Sequence, residues 1–232
     1  MNRGRERSVE RDELAFFGTL TASVTHELNN VLSIIDQTRG LLEDLAAGAV
    51  AAPGRAIDPR RLETISERVD RQVRKGVRIM SSLNQLAHSL DNTDGPFDTG
   101  AEAENLVSLV RRFADLKKVR LKFTRSEEEV PGAGDAFVLQ QGLFACLRGI
   151  LQESEEGDRI EVGVRREADD AVVSIIATAR CMTEEDDPQI QRLSELMESL
   201  EGTFSVSAED HGETVFDLRF PATKTFSADD QR

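Results

Sequence analysis

Phe17-Gly-Thr-Leu-Thr-Ala-Ser-Val-Thr-His-Glu-Leu-Asn-Asn-Val-Leu-Ser-Ile-Ile35 carries the pattern of a long amphipathic helix. Phe17, Leu20, Val24, Leu28, Val31, Ile35, Leu42 and Leu45 are spaced by three, four or seven residues. At about 100° per residue they form one apolar stripe. His26 falls on the opposite side, with Asn30 one turn further along and Glu27 beside it. Taken alone, a solvent-facing histidine reads as an ordinary surface residue. Flanked by a carboxylate and an amide, it is also a candidate chemical site.

The helix is expected from Glu10 to Ala47, about 55 Å at 1.5 Å per residue, a length suited to a bundle. Charged residues 1–9 are expected to fray. Gly48, Pro53 and Gly54 mark a loop, and Asp58 is a candidate N-cap with Pro59 at the first helical position. A second helix is expected from Pro59 to Leu90, with Leu62, Ile65, Val69, Val73, Met80, Leu83, Ala87 and Leu90 on its apolar side. Arg68, Arg71, Arg74, Lys75 and Arg78 form a basic row on the other side, either a solvated face or a surface for an acidic partner. Two long helices joined by a short loop make an antiparallel hairpin. One hairpin cannot cover two wide stripes, so the expected assembly is a homodimer whose paired hairpins form a four-helix bundle.

Asp91-Asn-Thr-Asp-Gly-Pro96 reads as a linker, dividing the chain into a helical hairpin over 1–93 and a second domain over 97–232. Beyond the linker, helices are expected at Ala101–Leu116, Ala136–Leu151 and Gln189–Leu200. Strands are expected at Val119–Phe123, Arg159–Arg165, Ala171–Ala177, Thr203–Ala208 and Thr214–Phe220. The fold class is α+β, the second domain being an α/β sandwich with helices on one face of a mixed sheet.

The charge is uneven. The 232 residues carry a formal net charge of -14; residues 1–96 hold 13 basic and 14 acidic side chains, against 16 and 29 in the remainder. Such an acidic C-terminal half would repel phosphates, which argues against nucleic acid as a partner. No apolar run approaches the length of a membrane span, and no apolar segment follows the charged N-terminus as in a signal peptide. The two cysteines, Cys146 and Cys181, suit a reducing cytoplasm, and no Cys/His spacing suits zinc. Trp and Tyr are absent, so the core rests on aliphatic residues and 11 Phe. His88 and His211 read as surface residues.

A long helix bearing His-Glu-Leu-Asn-Asn, a second long helix, a linker and then αβαββαββ resemble a bacterial sensor histidine kinase. The resemblance spans residues 10–222 and is sharpest at the first of these motifs. It implies that His26 is the phosphoacceptor, that Glu27 orients and activates its imidazole, and that Glu27 and Asn30 match the E-x-x-N pattern positioning a water for phosphatase action. A neutral imidazole nitrogen is a nucleophile near neutral pH, and an exposed position admits a phosphoryl donor.

The second domain departs from the family's pattern. The asparagines of the family's metal-binding helix correspond to Ala145 and Gly149 in Gln141–Ile150. The adenine-reading D-x-G-x-G should follow the strand at Ala171–Ala177. Here the chain reads Ala177-Thr-Ala-Arg-Cys-Met182, with Thr178 where the aspartate is expected. The glycine-rich lid is replaced by Glu184-Glu-Asp-Asp187, which would repel a triphosphate.

The expectation is a histidine phosphotransferase with a degenerate nucleotide-binding domain. His26 would carry a phosphoryl group between the aspartates of response-regulator receiver domains. No cofactor is expected on this chain, and Mg²⁺ would arrive with the receiver. Arg68, Arg71 and Lys75 are candidate rim contacts for that partner. The alternatives are an active histidine kinase with an unusual ATP site, a non-catalytic docking module, and a phosphatase using Glu27 and Asn30.

Overall fold

A computed structural model describes residues 2–51, 57–89, 95–179, 188–208 and 212–222, with side chains from residue 15 onward. Two long helices, α1 (Asn2–Ala51) and α2 (Pro59–Ser89), form the hairpin. The end of α2, at Leu86, shares a core with Phe16 and Leu20 near the start of α1, so the helices run antiparallel. The Asp58 carboxylate accepts the Arg60 backbone N–H at 3.0 Å and caps α2 as expected.

α1 is longer than the expected Glu10–Ala47. Residues 2–9, expected to fray, continue the helix, and so does Gly48, expected to begin the loop. Around Gly48 lie Ala46, Ala47, Ala49 and Ala51, whose high propensity offsets the roughly 1 kcal/mol cost of one glycine. Pro53 and Gly54, and most of the expected linker at 91–96, lie outside the described residues.

The second unit comprises β1 (Phe97–Asp98), α3 (Thr99–Lys117), β2 (Arg120–Thr124), β3 (Pro131–Gly132), α4 (Ala136–Glu153), β4 (Arg159–Glu167), β5 (Asp170–Ala177), α5 (Pro188–Glu198), β6 (Thr203–Ala208) and β7 (Thr214–Pro221). Its main sheet has the order β2-β4-β5-β7-β6. β2 pairs parallel with β4, and the other neighbours are antiparallel. The chain is therefore a helical hairpin followed by an α/β sheet unit, a mixed α+β fold.

The strands show the period of two that sorts side chains between faces. Ile160, Val162 and Val164 of β4, Val173 and Ile175 of β5, and Phe216, Leu218 and Phe220 of β7 are buried under the helices. The other face carries ion pairs, including Arg165 to Asp217 at 3.0 Å and Arg219 to Glu167. α3 is capped by the Asp98 carboxylate, which accepts the Gly100 and Ala101 N–H groups. α5 ends before Gly202, where a side chain would run into the Arg219 carbonyl oxygen of β7. The two-residue pair β1–β3 falls partly in a stretch expected to be loop.

Candidate functional site

The site starts from the side of α1 that α2 does not cover. Leu20, Val24 and Val31 are buried, and these three contacts fix the rotation of α1. His26 is thereby exposed, and its imidazole has no hydrogen-bond or ion-pair partner among the described residues. Asn30, one turn further along, is exposed as well. Glu27 turns inward toward the hairpin groove. Its Oε1 lies 2.8 Å from Lys75 Nζ on α2, and its side chain is 20% exposed.

The structure separates the three basic residues expected at the rim. Lys75 is joined to Glu27 across the hairpin. Arg71 lies on the same helix four residues earlier and pairs with Glu67 at 3.8 Å; Arg68 is half-buried. Along α2 they sit about 6 and 10 Å from Lys75 toward the loop, at 1.5 Å per residue. Arg74 pairs with Asp70 at 2.9 Å. These pairs within one helix are worth about 0.3–0.5 kcal/mol each and leave the face basic. His88 is exposed, Cys146 is buried in the core, and His211 and Cys181 lie outside the described residues.

About 15 Å down α1 from His26, the hairpin is fastened to the sheet unit. Phe16 packs edge-on against Phe144 at 4.9 Å and Phe137 at 5.6 Å, and Phe17 stacks on Phe137 at 5.2 Å. The sequence pattern placed Phe17 in the stripe and passed over Phe16. Phe16 is the buried one, because the base of α1 packs on α4 as well as on α2. Polar groups complete this junction. Ser89 Oγ donates to Gln140 Oε1 at 2.9 Å, and Asn105 Nδ2 donates to the Ser82 carbonyl at 3.1 Å. Gln140 Nε2 donates to Glu102. Burial raises the Glu102 pKa above its ordinary value, while hydrogen bonds from Gln140 and Gln85 oppose the shift.

On α4, Ala145 is exposed and Gly149 is buried, and neither side chain offers an oxygen to a metal. At the end of β5 the Thr178 hydroxyl donates to Asp158 Oδ1 at 2.9 Å and accepts the Arg159 N–H at 2.9 Å. Its proton and one of its two lone pairs are thus engaged by the neighbouring turn. The acidic run Glu184–Asp187 lies outside the described residues.

No family model matches the chain. It is 25% identical over 226 residues to sporulation kinase B of Bacillus subtilis (strain 168), a match covering 93% of this chain and 50% of that one. The chain resembles a bacterial sensor histidine kinase. The fold agrees with that likeness. The crystal structure of histidine kinase ThkA in complex with response regulator protein TrrA matches 95% of this chain and 66% of that one, with a TM-score of 0.50 and 16% identity. The catalytic domain of ThkA alone matches 55% of this chain and 96% of that one, with a TM-score of 0.50 and 13% identity. This histidine-kinase-like chain spans half the length of sporulation kinase B. Among the described residues no helix is long and apolar enough to cross a membrane.

Proposed function

We propose that this chain is a histidine phosphotransferase of a two-component relay, carrying a phosphoryl group on His26 between receiver-domain aspartates without binding ATP. The observation that carries the reading is an exposed, unpartnered imidazole beside Glu27 and one turn from Asn30 on a histidine-kinase-like hairpin. One ring nitrogen of neutral His26 attacks the phosphorus of an aspartyl phosphate. The N–P bond forms as the acyl O–P bond breaks, and aspartate leaves as its carboxylate. The proton on the other ring nitrogen passes to Glu27. The receiver brings the Mg²⁺ that neutralises the phosphoryl oxygens. Ala145, Gly149 and the committed Thr178 hydroxyl support the absence of ATP chemistry.

The partner is a response-regulator receiver, a reading supported by the ThkA complex with TrrA. It would dock on the face of His26, Glu27 and Asn30, with Arg68 and Arg71 toward its rim. The working unit is a homodimer. Leu32, Leu41 and Leu42 of α1 and Leu62, Val73, Val77 and Met80 of α2 are exposed in one protomer. Burying each is worth about 1.5–3 kcal/mol. The buried thiol of Cys146 suits a reducing cytoplasm.

The likeness to sporulation kinase B favours a second reading, an ATP-dependent kinase. Incubation with labelled phospho-receivers, set beside incubation with labelled ATP, separates the two. Acid-labile label from the receivers alone is the expected result. Label from ATP alone would replace the phosphotransferase reading with the kinase one.

A further inference from the structure

We infer that Lys75 is a positioning residue that holds Glu27 for proton transfer from His26, rather than a contact for the receiver. The inference rests on the phosphotransfer reading of His26. Residues adjacent on a helix do not face each other, so Glu27 does not meet the His26 imidazole by helix geometry alone. Something must aim its carboxylate. Lys75 Nζ fixes one of its oxygens from α2, 2.8 Å from Oε1, while Oε2 has no partner among the described residues.

Three features single out this pair. The other described ion pairs of the hairpin join residues three or four apart on one helix, whereas Glu27–Lys75 crosses between helices. Glu27 is sheltered at 20% exposure, against 54–72% for the carboxylates of those other pairs. Finally, Gly76 follows Lys75, and a Cβ there would already touch Val31 Cγ1 at 3.5 Å. The helices thus pack against each other beside the pair, with Lys75 level with the His26 turn. One carboxylate oxygen is tethered, and the other is left to receive the ring proton as the N–P bond forms.

A double-mutant cycle on the full chain separates positioning from docking. Label transfer from a phospho-receiver is followed at varied receiver concentration in Lys75→Ala, Lys75→Arg, Glu27→Gln and the Glu27→Gln/Lys75→Ala pair. Lys75→Ala is expected to lower the maximal rate about tenfold, with half-saturation kept within about twofold. Lys75→Arg, which keeps the charge, should recover most of the rate. In the Glu27→Gln background Lys75→Ala should add nothing. A rise in half-saturation at constant maximal rate, an equal effect in both backgrounds, or a Lys75→Ala variant matching wild type would each overturn the inference. The ¹⁵N resonances of the His26 ring in the free protein supply a readout that needs no receiver. They should shift in Lys75→Ala and return in Lys75→Arg. Failure of wild type to take label would refute phosphotransfer itself, and an unmoved His26 ring spectrum would refute the coupling separately.

Discussion

Replacing Phe16 with alanine should release the hairpin from the sheet unit. Phe16 is 5% exposed and has ring neighbours Phe144 at 4.9 Å, Phe17 at 5.3 Å and Phe137 at 5.6 Å. Truncating a buried phenylalanine to alanine costs about 3–5 kcal/mol, a figure that includes its edge-on ring contacts. A loss of about 4 kcal/mol lowers the docking equilibrium roughly a thousandfold. The Ser89–Gln140 and Asn105–Ser82 hydrogen bonds remain, but at about 1 kcal/mol each they do not offset it. Urea unfolding, followed by circular dichroism at fixed protein concentration, is the assay. Wild type should unfold in one transition. Phe16→Ala should unfold in two, each with a shallower denaturant slope because each exposes less surface. A single transition with stability unchanged to within about 1 kcal/mol would refute the view that these rings hold the two units together.

Val77→Asp with Met80→Asp should convert the protein to monomer by light scattering, since both side chains are exposed in the protomer and lie on the apolar side of α2; an intact dimer would contradict the bundle. Calorimetric titration with Mg-ATP should show no binding tighter than about 1 mM, roughly 4 kcal/mol, and a tighter constant would restore a nucleotide site at Ala145 and Gly149. Glu102→Gln should flatten the pH dependence of stability. Burial raises the Glu102 pKa in the folded state, so between its unfolded and folded values the native state binds more protons. Wild type should therefore lose stability as pH rises through that window, and urea midpoints of the variant should not follow that fall.

Element types were largely legible in the sequence because periodicity reports them directly. The period of two in Thr203–Ala208 and Thr214–Phe220 gave the terminal hairpin, and the apolar spacing of α2 gave the helix at Pro59–Ser89, with Leu90 outside the described residues. The pair β1–β3 was missed because two residues carry no period. The upper part of the α1 stripe was only partly right. Leu42 is exposed in the protomer, whereas Thr38 is fully buried with its hydroxyl donating to the Ile34 carbonyl at 2.6 Å. A polar residue satisfied by its own helix is invisible to a hydrophobicity pattern. At the candidate site, the exposure of His26 and Asn30 followed from their angle to the stripe. The Glu27–Lys75 pair did not, because it depends on how α2 is registered against α1. At that level Gly76 of α2 lies beside Val31 of α1, a juxtaposition that neither helix encodes alone.

The most direct test of the central claim compares wild type with His26→Ala after incubation with a labelled phospho-receiver and Mg²⁺. His26 faces solvent without a partner, so the substitution should change stability by under about 0.5 kcal/mol, which circular dichroism can verify. Acid-labile label is expected on wild type and none on His26→Ala. Label of equal amount on the folded His26→Ala chain would put the acceptor elsewhere and refute phosphotransfer through His26.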